Sequence, residues 1–160
     1  MDAIAAIRLN MQTAEMIGLG YLNDLTDEEM MLRPAPGCNH LNWQLGHLVV
    51  SEHEMLQAVN AAELPALPEG LEKAYSKETT GSDNPADFWK KDQLLEAYQN
   101  LRAASQKLLD QQTPESLEKP TGIDYAPTVG AIFMMLGSHW LMHCGQWAVV
   151  RRQTGRPPLF

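Results

Sequence analysis

The sequence predicts an all-α fold, a four-helix bundle with one long crossover connection, in a single domain over 1–160. Three observations carry this. Apolar residues recur at three- and four-residue spacings in four long stretches, no run of β-branched alternation appears, and one proline- and glycine-punctuated stretch separates the middle two. The first helix spans roughly Asp2 to Leu22, with Ile4, Ile7, Met11, Ala14 and Tyr21 on one face. Thr26-Asp27-Glu28-Glu29 is a capping box, in which the Thr26 hydroxyl and the Glu29 carboxylate satisfy orphan amides, and it opens a short helix ending before Pro34. Arg33-Pro34-Ala35-Pro36-Gly37 is a turn, because its prolines remove donors and fix the backbone. The second helix starts at Asn39 or Leu41 and runs to Asn60, with Leu41, Leu45, Leu48, Met55, Leu56 and Val59 on its apolar side.

From Glu63 to Pro85 the periodicity breaks at Pro65, Pro68, Gly70, Gly81 and Pro85, which marks the crossover, with one helical turn expected near Leu71. The third helix follows from Asp87 or Lys91 to Gln112 on a stripe of Leu94, Tyr98, Leu101, Ser105 and Leu108. Thr113-Pro114 caps and begins a single turn. The fourth helix starts after a Thr128 N-cap and ends at Arg151-Arg152, two cations suited to the negative end of its dipole, before Gly155 and Pro157-Pro158 stop it.

Composition narrows the function. Hydrophobic residues make up 44% and charged residues 20% of 160, which excludes disorder, and a net charge of −8 leaves no basic stripe for nucleic acid. The segment 125–150 holds no Asp, Glu, Lys or Arg, yet His139, His143, Gln146 and its glycines make it the central helix of a core rather than a membrane span. Cys38 and Cys144 are too few for a disulfide framework, and the acid at Asp2 stands where a secretory leader has positive charge, so a cytoplasmic protein is expected.

The chemistry sits in the histidines. His139 and His143 are four apart on the fourth helix, about 6 Å along its axis, and share the stripe of Ile132, Phe133, Leu136, Trp140 and Trp147. Imidazoles buried in such surroundings need partners for their ring nitrogens, and a metal ion supplies one. A zinc-type site wants a third ligand from another helix, and His47, mid-helix between Leu45 and Leu48, is the best placed. His40 lies near solvent at the helix start, and His53, flanked by Glu52 and Glu54, is solvated. Each histidine taken alone could as well be a hydrogen-bonded core residue. Gln44 and Gln146, three residues from His47 and His143, are placed to orient ligands or substrate or are plain helix polarity. Trp43, Trp140 and Trp147 either wall a pocket or fill the core, and Glu54, about 10 Å beyond His47, is too far to be its base. Trp140 after His139 removes the glutamate of a zinc-peptidase motif, and no phosphate loop, dinucleotide fingerprint or nucleophile elbow is present.

Three ordered blocks resemble the DinB-like family of metalloenzymes, which includes proteins of the YfiT type. They are Leu25 to Glu29 leading to Arg33-Pro34-Ala35-Pro36-Gly37, then Asn39 to Leu48, then His139-Trp140-Leu141-Met142-His143-Cys144-Gly145-Gln146 running to Pro158. The resemblance implies a four-helix bundle with a divalent metal on His47, His139 and His143, zinc first and nickel or iron also associated, frequently as a homodimer. It also implies a thiol-dependent S-transferase or isomerase acting on a small-molecule electrophile through a low-molecular-weight thiol. Two other readings stay open: a metal-dependent hydrolase, and a non-enzymatic, stress-related binding or scaffold protein with a structural metal. The apolar fourth helix is expected to pack at the homodimer interface.

Overall fold

A computed structural model describes residues 1–159. Six α-helices form: α1 (Ala3–Leu22), α2 (Leu41–Asn60), α3 (Leu71–Ala74), α4 (Lys91–Asp110), α5 (Pro114–Leu117) and α6 (Val129–Gln153). The long ones, α1, α2, α4 and α6, close a ring in which α6 packs on α1 and α2, and α4 on α2 and α1. Side-chain pairings give the directions. Gln44 meets Gln146 across an antiparallel α2–α6 pair, and Arg8 meets Asp110 across an antiparallel α1–α4 pair. Asn42 reaches Trp89 while Glu52 reaches Arg102, so α2 and α4 run parallel. Two parallel neighbours need a connection that returns along the whole bundle, which is why the chain between them is long.

The helix starts follow from local chemistry. Asp2 caps α1 by accepting from the Ala5 amide at 2.8 Å, and Thr128 caps α6 by accepting from the Ala131 amide at 3.2 Å. The capping box forms, with Thr26 N–H on Glu29 at 2.9 Å and Glu29 N–H on Thr26 at 3.2 Å, but it opens only a 3₁₀ turn, Glu29–Met31. The crossover carries α3 and is tied down on α2. Tyr75 donates to Asn42 at 2.9 Å, Asn42 donates to the Trp89 carbonyl at 2.7 Å, and Trp43 donates to Thr79 at 3.0 Å. Its Tyr75 ring lies on Gly46, where any β-carbon would collide with it. Gly18 on α1 likewise makes room for the Trp140 ring of α6.

Several expectations are corrected. A short antiparallel hairpin, β1 (Pro120–Ile123) and β2 (Ala126–Thr128), joins α5 to α6, and its prolines and Gly122 hide it from any alternation pattern. Arg151 and Arg152 do close the last turn of α6, and Arg151 is in addition buried, with its guanidinium on Asp24 at 2.9 Å and on the Pro157 carbonyl at 2.6 Å. Glu52 is also buried, 1% exposed, so the surroundings of His53 are not solvated on both sides. No helix among the described residues is long and apolar enough to cross a membrane.

Candidate metal centre

Where α2 crosses α6, three histidines converge. His47 projects from the middle of α2, and His139 and His143 from successive turns of α6. The His47 ring lies 5.1 Å from that of His139 and 5.8 Å from that of His143, and one ligand nitrogen from each residue falls within 4.8 Å of the others. The Nε2 atoms of His139 and His143 are 3.2 Å apart. That is close to the separation of about 3.4 Å expected for two imidazole nitrogens on one tetrahedral ion.

The proton positions follow from the neighbours. The Trp147 indole N–H can only donate, and it donates to Oε1 of Gln44 at 2.9 Å. The Gln44 amide nitrogen donates to the Asn39 carbonyl at 2.7 Å and to Gln146 Oε1 at 3.0 Å, so its oxygen faces inward. Nδ1 of His143 lies 3.0 Å from that oxygen and therefore carries the proton, which leaves the Nε2 lone pair turned toward His139 and His47. Gln44 thus serves the histidine of the opposite helix, not its own neighbour His47, and Gln146 holds Gln44 in place. Trp43 stacks on His47, with ring centroids 4.9 Å apart and planes 13° from parallel.

All three rings are held neutral. Burial, followed by the nearness of His47, lowers His139 to about 4, and burial, followed by His139 and His47, lowers His143 to about 3. Burial also lowers His47. Neutral imidazoles with converging ring nitrogens can hold a divalent ion, and among the described residues no fourth His, Cys, Asp or Glu joins the group. Beside His47 opens a cavity of about 520 Å³, walled by α2 from Trp43 and His47 to Glu54 and, opposite, by Glu72, Tyr75 and Lys77 of the crossover.

The other candidates fall elsewhere. His40 is fully buried, contrary to the solvent position expected, because its Nδ1 caps α2 by accepting from the Trp43 amide at 2.9 Å while its ring edge meets Phe88. His53 stands apart from the cluster, with its Nδ1 3.4 Å from Gln57. Of the tryptophans, Trp43 lines the cavity, whereas Trp140 and Trp147 are core. Cys144 is a packed thiol that burial pushes up to about 12. Sequence reasoning missed Trp147 as the donor that turns Gln44. Its place one turn beyond His143 was the available signal. It also missed the crossover wall, which no periodicity marks. The chain matches the DinB superfamily over residues 11–147, most of its length. No curated protein matches it.

Proposed function

The chain belongs to the DinB superfamily, and from that premise we propose a metal-dependent enzyme in which His47, His139 and His143 hold one divalent ion, zinc before nickel or iron. The reaction proposed is transfer or isomerisation of a small electrophile with a low-molecular-weight thiol as co-substrate. One observation carries the metal assignment: Gln44 fixes the proton of His143 on Nδ1, so that the free lone pair faces two further imidazoles. When bound, such an ion supplies Lewis acidity and lowers the pKa of a coordinated thiol or water.

The chain's own part is positioning. Gln44 holds the His143 ring against rotation, Gln146 holds Gln44, and Trp43 presses flat on His47. The cavity at His47 supports a catalytic ion over a structural one, because a closed structural site has no room for a substrate beside its ligands. Glu54 lines the cavity but sits two turns beyond His47, and we assign it no proton transfer. A homodimer is proposed from the apolar residues that α1 and α6 leave exposed, among them Leu9, Met16, Met134, Leu141 and Val149. Free Cys38 and Cys144 support a reducing, cytoplasmic setting.

Metal analysis of unsupplemented protein tests the first claim, and a monomer in sedimentation at micromolar concentration would remove the dimer. A panel of thiols with electrophiles, set against esters and amides, tests the reaction. Thiol consumption supports the transferase reading, isomerised product formed only with thiol present but without its consumption supports the isomerase, ester or amide cleavage replaces both with a hydrolase, and an ion with no exchangeable position replaces all three with a stress-related scaffold.

A further inference from the structure

We propose that Thr79, on the crossover, is a positioning residue for His47, acting through the indole of Trp43. The inference rests on the metal reading above, in which His47 is one of three ligands. The three rings are not held alike. Nδ1 of His143 is fixed on Gln44, whereas no protein group hydrogen-bonds to either ring nitrogen of His47 among the described residues. A ligand imidazole usually has its second nitrogen tied, and that bond sets the plane of the ring. At His47 a flat stack takes this part. Trp43 precedes it by four residues on the same face of α2, and the two rings lie 4.9 Å apart and 13° from parallel. The rings of His139 and His143 meet His47 edge-on, at 81° and 67°.

What sets the indole therefore sets His47. Trp43 is buried, and its Nε1 can only donate. It donates to Oγ1 of Thr79 at 3.0 Å. The Thr79 hydroxyl is itself oriented. The carbonyls of Ser76 and Ala74 lie 2.8 and 2.9 Å away and claim its one proton, which turns a lone pair to the indole. Thr79 is also anchored independently of Trp43. Tyr75, four residues earlier, sits on Gly46, donates to Asn42 and accepts from the Trp89 amide. On the other side Arg33 donates to the carbonyls of Thr80 and Ser82, each at 3.1 Å. Loss of the hydroxyl leaves these anchors in place, so the crossover stays docked while the indole is free to tilt. The hydroxyl is thus a fixed point against which the indole, and then the imidazole, is held.

Zinc affinity by chelator competition, together with the visible absorption of the cobalt-loaded protein, tests this. Thr79→Val keeps the side-chain shape and removes the acceptor. It should weaken zinc binding about three- to tenfold and shift the cobalt bands, a smaller loss than that of a group bonded to a ligand directly. Thr79→Ser should restore both. Trp43→Phe, which keeps a ring but no N–H, should weaken zinc to a similar degree, and adding Thr79→Val to it should cost nothing further, the mark of two residues acting as one. Unchanged zinc affinity and cobalt bands in Thr79→Val overturn the inference and leave the three-histidine site intact. So does a further loss when Thr79→Val is added to Trp43→Phe, since the hydroxyl then acts by another route. If Thr79→Val does not fold, Trp43→Phe decides alone, and unchanged zinc affinity there overturns the inference. An unaltered protein that binds neither ion overturns both this inference and the metal reading.

Discussion

The helix α2 carries two polar groups into the same core, five residues apart, and the core treats them in opposite ways. Glu52 turns toward α4, where its carboxylate accepts from Arg102 at 2.7 Å and from Ser105 at 2.6 Å, with the guanidinium lying over the Tyr98 ring. Both charges are 3% exposed or less, and each answers the other. His47 turns toward α6, where it meets two more imidazoles, and the proton of His143 is held away from them by Gln44. The first region pairs its two charges, although Nε and Nη1 of Arg102 and the Tyr98 hydroxyl beside them stay buried without a partner. The second has lone pairs to spare and a cavity at its side. Polarity in a core is thus not itself a sign of function; three neutral imidazoles converging beside a cavity, with no charged partner among them, are a stronger one.

Breaking each region in turn sharpens the contrast. The largest effect is expected from His47→Ala, His139→Ala or His143→Ala, each of which should bring bound metal to near background by elemental analysis while costing the metal-free fold no more than about 2 kcal/mol. Retention of metal by all three variants removes the assignment. Glu52→Ala should do the reverse. It strands the Arg102 guanidinium in the core and should cost about 3–5 kcal/mol in denaturant unfolding, with metal content per folded chain unchanged. Gln44→Leu comes next, since it frees the His143 ring: metal affinity in a chelator competition should fall about 10–100-fold. Gln146→Ala, one contact further out, should cost less than that.

A pH effect follows from the same rings. The unfolded chain takes up protons on these histidines near their ordinary 6.5, whereas His139 and His143 in the fold resist protonation until about 4 and about 3. Their lowered pKa means that stability is fully present above pH 6.5 and is lost as the pH falls toward those values. Melting temperatures of metal-free protein should drop across that window, and less so in the His143→Ala variant. The smallest effect belongs to His53→Ala, which should leave both metal content and stability unchanged; a loss of metal there would move the site down α2.

Much of this was readable from residue order. The spacing of Ile132, Phe133, Leu136, His139 and His143 announces a helix with two imidazoles on its inner face, because a 3.6-residue period ties position to direction. The caps at Thr26 and Thr128 and the stop at Gly155 are likewise local, decided by groups within four residues of each other. Even Glu52 lay on the stripe of Leu45, Leu48, Met55 and Leu56, where its burial could have been suspected. What no local rule could supply is which residue from another helix arrives opposite. That Glu52 meets Arg102, that Gln44 turns its oxygen to His143 at the bidding of Trp147, and that Tyr75 of the crossover walls a cavity against α2 all join positions tens of residues apart. Such pairings depend on how four rods settle against one another. Periodicity determines the face each rod presents, and only the packed core decides what that face meets.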